Sequence, residues 1–189
     1  MGLSRILTGI GIGVTASIIA ATPAQAQWDD PAVVGEFQAT LDRVLAPHGL
    51  HAVVVTEWLE PDVYARAEPG VVILNKRFAT SRATFEYFAY RDIEEGFHPP
   101  GCNAIDTIAI HEAAHMIEWA DGFAASEEVE RRHGYGENLP PDSLSGYSWL
   151  LPGYVLNIPE ALAEAFVSVH CEAAPSPVEY EFNHILVTT

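Results

Sequence analysis

Apolar residues recur with helical spacing in the region that follows residue 30. Within residues 31–45 most of them stand three or four positions apart, as on the buried face of an amphipathic helix. They are Val34, Phe37, Leu41, Val44 and Leu45. Pro47 and Gly49 follow directly, and both residue types commonly end helices. The sequence therefore predicts a first helix over residues 31–45.

Two runs of β-branched residues come next. They read HAVVVTEWL at residues 51–59 and GVVILNKRF at residues 70–78, and Pro and Gly bound them. Such runs are typical of strands in a buried sheet. Residues 80–94 have the character of a short helix, which the Pro- and Gly-containing segment 96–103 ends. We therefore expect two strands between two helices.

Two further helices are predicted in the second half of the chain, with a long polar segment between them. Residues 104–120 are apolar on nearly every side, which predicts a buried helix. Residues 121–153 are polar and rich in Gly and Pro, so we expect little regular structure there. A last helix should begin near Pro159, whose fixed φ suits a first helical position, and run towards Cys171.

The first 26 residues have the layout of a secretory signal peptide. Arg5 precedes an apolar run, and Ala24-Gln25-Ala26 supplies small residues at the cleavage positions. An uncleaved membrane anchor is the alternative, although the run is short and rich in Gly and Thr for a membrane span. Cleavage would leave residues 27–189, the length of one domain. The sequence thus predicts a secreted or periplasmic protein.

Charge limits the partners of this chain. Once Arg5 is removed, eight basic residues stand against 26 acidic ones, a net charge of −18. Nucleic acid and anionic membranes are poor partners for such a protein. We therefore expect a solvated acidic surface, no nucleic-acid partner, no membrane contact after signal cleavage, and a monomer.

The predicted buried helix contains the pattern of a zinc site. His111 and His115 lie four positions apart, so their imidazoles share one helix face and can reach one ion. Glu112 lies about 100° around the helix, where it could take a proton from a water that attacks a carbonyl. Because buried His and Glu side chains are costly without such partners, the pattern favours a metal site over a structural pair.

The third protein ligand that a catalytic zinc ion needs has more than one candidate. Asp121 lies six residues after His115, but it is more simply a helix-end carboxylate before Gly122. Glu160 and Glu164 are the stronger candidates. They lie four apart on one face of the last predicted helix, which is otherwise made of Ala, Leu, Phe and Val.

Two segments carry a resemblance to a known family. GFHPPGCNAIDTIAIHEAAH (96–115) and PEALAEAF (159–166) resemble the catalytic domains of the anthrax lethal factor and Pro-Pro endopeptidase family. GVVILNKRF is similar to the strand and Asn-containing turn that precede the motif helix in that family. The resemblance covers about residues 70–170. It implies an α+β, zincin-like metallopeptidase domain with a mixed sheet, an HExxH active-site helix and a C-terminal Glu-bearing helix.

The resemblance also implies roles at the metal. By this similarity the Zn²⁺ ligands are His111, His115 and Glu160. Glu112 is the catalytic base. Glu164 is an acid that holds a ligand or a catalytic Tyr in place.

The resemblance also implies a catalytic tyrosine. The family places a Tyr about seven residues before the ligand Glu, where its hydroxyl stabilises an oxyanion. Tyr154 is the preferred candidate here and Tyr147 the alternative. From their positions in the sequence His98 and His133 could also line the cleft, although each is more simply a residue of a loop. In the family the substrate lies along an edge strand above the zinc, and residues 70–78 are the nearest segment to that role.

The sequence therefore predicts an exported zinc metalloendopeptidase that acts on a peptide or protein substrate. Two alternatives stay open: a catalytically silent zinc-binding module, and a zinc amidase acting on a non-protein amide such as peptidoglycan. Glu112 argues against the silent module, because binding alone has no use for a base.

Cys102 and Cys171 are the only two cysteines, in a chain expected to reach a compartment where disulfides persist. Measured along helices, they lie about 14 and 17 Å from His111 and Glu160. Two antiparallel helices that meet at the zinc would therefore bring both sulfurs to the same end. We predict a disulfide; two separate buried thiols are the alternative.

Overall fold

The structure is a computed structural model that describes residues 29–134 and 158–189. Within these ranges the chain forms a small α+β arrangement of seven α-helices and a three-stranded mixed sheet, which confirms the predicted α+β class and the mixed sheet. The helices are α1 (Pro31–Leu45), α2 (Lys76–Ala79), α3 (Arg82–Glu94), α4 (Ala104–Ala120), α5 (Ala124–His133), α6 (Ile158–His170) and α7 (Pro177–Thr188). The strands are β1 (Val53–Glu57), β2 (Ala65–Glu68) and β3 (Val71–Asn75). The predicted signal peptide, residues 1–26, lies outside the described residues.

The sheet has the order β1-β3-β2, with β1 parallel and β2 antiparallel to β3. The two predicted strands are thus confirmed as β1 and β3, while β2 was missed. The expectation that residues 70–78 form an edge strand is wrong, because β3 is paired on both sides. The strand also ends early: the Asn75 side chain accepts a hydrogen bond from the Arg77 N–H at 3.1 Å and caps α2.

Asn75 also fixes the loop that leads into β2. It is fully buried, and its side-chain amide donates to the carbonyl oxygens of Glu60 at 2.9 Å and Val63 at 2.7 Å. A buried amide with all these partners satisfied is a rigid junction. Asn75 therefore sets where β2 begins.

The outer edge of β1 is occupied by a side chain. The Gln38 amide on α1 donates to the Ala52 carbonyl at 2.8 Å and accepts from the Val54 N–H at 2.8 Å. These are the contacts that a neighbouring strand would make. Gln38 therefore blocks this part of the β1 edge from pairing with another strand.

Helix α4 is the centre of the packing. It has the predicted bounds, and it packs against α1, α3, α6 and β2. From Thr107 to Glu118 every residue is buried except His115, which is half-buried. The Asn103 side chain accepts from the Asp106 N–H at 2.9 Å and caps the first turn. A helix that is apolar on nearly all sides forms here because neighbours surround it.

The sequence prediction is wrong for the first part of residues 121–153, because α5 occupies Ala124–His133. Its polar residues form ion pairs with one another, such as Glu128 with Arg131 and Arg132, and Ala125 and Val129 supply the buried face. Helix α7 was not predicted either. Its start carries a capping box in which Ser176 and Glu179 each bond the other's backbone N–H.

The predicted disulfide between Cys102 and Cys171 is confirmed, with the two Cα atoms 5.0 Å apart. Cys102 lies just before α4 and Cys171 just after α6. The bond therefore joins the start of one helix to the end of the other, so the two helices run antiparallel. It closes a loop with a sequence separation of 69 residues.

The disulfide should be detectable and stabilising. Intact-mass analysis after alkylation should show no modified thiol in the native chain, and two after reduction. A loop of this length is worth about 4 kcal/mol in the chain-entropy model, so Cys102→Ser with Cys171→Ser should lower the free energy of unfolding by up to about that amount. Alkylation of two thiols before any reduction would contradict the bond.

Gly101 offers a sharp test of the packing beside the disulfide. Its φ is +114°, and a Cβ at this position would collide with the carbonyl oxygen of Cys171. Gly101→Ala should therefore lower the free energy of unfolding by about 1–3 kcal/mol in chemical denaturation. Gly35→Ala is the matched control: Gly35 is exposed in α1 with nothing within 4 Å of an added Cβ, so the change should stabilise by about 0.5–1 kcal/mol. Equal effects of the two substitutions would refute this packing.

Candidate metal centre

Helices α4 and α6 face each other with two ionisable side chains apiece. His111 and His115 lie one turn apart on α4, and Glu160 and Glu164 lie one turn apart on α6. Side chains at this spacing share one helix face. The antiparallel packing of the two helices therefore brings all four into one cluster.

Three of these side chains converge on a single point. The Nε2 atoms of His111 and His115 are 3.1 Å apart. Glu160 places its Oε2 3.1 Å from the His111 Nε2 and its Oε1 3.6 Å from the His115 Nε2. Ligand atoms of a tetrahedral zinc ion lie about 3.3 Å from one another, given metal–ligand bonds of about 2.0–2.1 Å. The group could hold a metal ion.

The electrostatics of the cluster favour a cation. Burial raises the pKa of Glu160, but hydrogen bonds from His111 and His115 and their charges outweigh burial and hold it well below its usual value. Burial lowers the pKa of His111, but Glu164 and Glu160 reverse this and hold it well above its usual value. The two carboxylates thus stabilise positive charge between the helices.

Glu164 contacts the far side of the His111 ring. Its Oε1 lies 3.0 Å from the His111 Nδ1 and 2.8 Å from the His98 Nδ1. Burial raises the pKa of Glu164, but the charges of His98 and His111 outweigh burial and lower it to about 2. His111 therefore presents Nε2 to Glu160 and Nδ1 to an ionised carboxylate. This placement suits an acid that holds a metal ligand, and the role itself stays a prediction.

Glu112 lies beside the cluster and faces β2. It is 6% exposed, and its carboxylate accepts a hydrogen bond from the backbone N–H of Ala67. Burial raises the pKa of Glu112, and the charges of His111 and His115 offset only part of this. A carboxylate held next to the candidate ligands with a raised pKa is suited to exchange a proton.

The cluster opens into a cleft of about 860 Å³ between α4 and β2. One face of α4 forms its floor, with Ile108, His111, Glu112, His115 and Trp119. The wall includes Tyr64 to Ala67 of β2 and the turn before it. The candidate metal ligands and the outer edge of β2 are therefore both accessible to a molecule that binds in the cleft.

Two residues that the sequence offered as site candidates, Asp121 and His133, lie away from the cluster. The Asp121 carboxylate accepts from the Ala124 N–H at 3.0 Å at the start of α5, and it does not join the converging ligand atoms of His111, His115 and Glu160. His133 lies at the end of α5 and pairs with Glu181 at 3.4 Å. Within the described residues His98 lines the cleft and His133 does not. The candidate tyrosines Tyr154 and Tyr147 fall outside the described residues.

Sequence reasoning missed part of the site. His98 was considered only as a cleft residue, and it contacts Glu164. Tyr64, Arg66 and Ala67 of the wall were not considered at all. The one signal for β2 was the alternation of small and charged residues in ARAE, which is four residues long and easily read as a loop.

Comparison of the chain with protein-family models, with curated proteins and with solved structures finds no match.

The geometry separates the two candidates for the third ligand. Glu160→Ala should lower zinc affinity at least about tenfold in a chelator-competition titration, because it removes a converging carboxylate. Asp121→Ala should leave zinc affinity unchanged and reduce stability only, since its carboxylate caps α5. The reverse order would show that the ligand follows directly after α4.

Proposed function

We propose that this protein is a zinc metalloendopeptidase with a zincin-like site. The observation that carries the proposal is the position of Glu112. A buried carboxylate lies beside two histidines and a glutamate that can share one ion, and all of them face a cleft with a strand edge on its far side. A purely structural metal site has no use for the Glu112 carboxylate, which is not one of the candidate ligands.

Zinc fits the donor set best. Two imidazole nitrogens and one carboxylate are a typical ligand set of catalytic zinc, and three protein ligands leave one coordination position for chemistry. Zinc bound here would supply a Lewis acid that polarises a peptide carbonyl and acidifies water. The candidate ligands are His111, His115 and Glu160, held by α4 and α6.

Glu112 would then move the proton. Its carboxylate accepts the proton of the attacking water, and the carboxyl group returns it to the leaving amine. Burial raises the pKa of Glu112 towards the working range of a general base. The hydrogen bond from the Ala67 N–H restricts the orientation of this carboxylate, which lines the cleft.

The free edge of β2 would hold the substrate. The Tyr64 carbonyl accepts from the Asn75 N–H at 2.8 Å. Tyr64 and every second residue after it, Arg66 and Glu68, therefore direct their backbone groups to β3. Ala65 and Ala67 direct theirs to the opposite side, where the cleft lies. The Ala67 N–H already donates to Glu112. An extended peptide could pair with the Ala65 N–H and with the carbonyl oxygens of Ala65 and Ala67, and so cross the metal centre. Strand β2 takes the role first given to residues 70–78.

Other parts of the proposal follow from the sequence. Tyr154, or Tyr147 in its place, would donate a hydrogen bond to the oxyanion. The protein would act outside the cytoplasm after removal of residues 1–26, and the disulfide is compatible with that location. Within the described residues, no helix is long and apolar enough to cross a membrane.

Glu112→Gln tests the mechanism. The variant should bind zinc as the parent does and cleave a broad peptide library at least about a hundredfold more slowly, because the ligands survive and the base does not. Glu130→Gln, an exposed change on α5, is the control and should leave activity intact. Equal activity in parent and Glu112→Gln would refute the mechanism.

The parent chain also distinguishes the alternative functions. Zinc binding without cleavage of any peptide would favour a binding module. Cleavage of peptidoglycan alone would favour an amidase.

A further inference from the structure

His98 reaches the candidate metal centre from outside α4 and α6. It lies in the segment between α3 and α4, yet its side chain is only 14% exposed. Its Nδ1 is 2.8 Å from the Oε1 of Glu164, and the same oxygen is 3.0 Å from the Nδ1 of His111. One carboxylate oxygen therefore lies between two imidazoles, one of which is a candidate ligand.

The contact with His98 is the better formed of the two. The His111 N–H is not directed at Oε1, so its contact is electrostatic rather than a well-aligned hydrogen bond. The second oxygen of Glu164, Oε2, is buried, and it has no hydrogen-bond partner among the residues that the structure describes. Among the described residues, His98 is thus the only group that orients this carboxylate by a directed hydrogen bond.

The backbone around His98 is itself well fixed. The preceding residue, Phe97, donates its N–H to the Asp92 carbonyl at 2.7 Å at the end of α3. Pro99 and Pro100 follow, and a proline restricts the conformation of the residue before it. The disulfide at Cys102 anchors the other end of the segment. This arrangement holds the His98 ring at one place against α6.

We propose that His98 is a positioning residue that acts through Glu164 to orient the metal ligand His111. His98 donates its Nδ1–H to Glu164, and the ionised carboxylate, 3.0 Å from the His111 Nδ1, favours the His111 proton on that nitrogen. His111 thus keeps a bare Nε2 for the metal ion. His98 does not touch the ion or the substrate in this role. The inference rests on the proposed metal centre. It adds a residue outside α4 and α6 to the groups that hold the ligand His111 in place.

Two amide substitutions separate positioning from simple filling of space. The side-chain nitrogen of Asn lies where the Nδ1 of His lies, whereas the nitrogen of Gln lies further out. His98→Asn should therefore keep the zinc affinity within about twofold of the parent, while His98→Gln and His98→Ala lower it about tenfold. Zinc affinity is measured by chelator competition, and the melting temperature of each metal-free variant reports structural damage separately.

The effect must also depend on Glu164. In the Glu164→Ala background, His98→Ala should change zinc affinity by less than about twofold, because the connecting group is gone. His51→Ala, whose side chain is 73% exposed on the surface, is the control and should leave zinc affinity unchanged.

Several outcomes would overturn the proposal. One is equal zinc affinity in the Asn, Gln and Ala variants; another is a full tenfold loss that persists without Glu164. Binding of two zinc ions per chain, with the second lost in His98→Ala, would show His98 to be a ligand instead. A parent chain that binds no zinc would refute the metal centre as well, whereas normal binding with unaffected His98 variants would refute this inference alone.

Discussion

Four ionisable side chains lie in the apolar interface between α4 and α6, and their mutual neutralisation is the constraint on which the site depends. They stand in the order Glu164, His111, Glu160, His115, so neighbours differ in sign wherever the histidines carry a proton or a metal. An unpaired buried charge costs several kcal/mol. Rotation of either helix about its axis would leave such a charge unpaired, so this order fixes the facing of both helices.

The remaining structure supports that interface from three directions. The disulfide ties the start of α4 to the end of α6. The segment between α3 and α4 brings His98 to the carboxylate of Glu164. The sheet approaches from the opposite side, where Asn75 sets the start of β2 and the Ala67 N–H meets Glu112. Each support originates in a different part of the chain, so the centre is defined by tertiary contacts rather than by one local motif.

The sequence predicts the parts of this arrangement that local chemistry determines. Helix α4 was placed with its observed bounds because an all-round apolar segment can only be a buried helix. The pairing of Cys102 with Cys171 was predictable because there are only two cysteines, at matching offsets from the candidate ligands.

Strand β2 was missed because a four-residue strand with two charged residues has no apolar run. The contact of His98 with Glu164 was missed because the two residues are 66 positions apart in the sequence. Helix α5 was missed because its stability comes from ion pairs and one narrow buried face, which resemble a polar loop in sequence.

The disulfide has a topological consequence for the integrity of the site. All three candidate ligands and Glu112 lie between the two cysteines, so they occupy one covalent ring. A single backbone cut between α5 and α6 would open that ring without separating its two halves. The histidine-bearing and glutamate-bearing fragments would stay attached through sulfur, as in a two-chain protein matured from one precursor. Such a nicked molecule would migrate as one species until reduction, and only then as two.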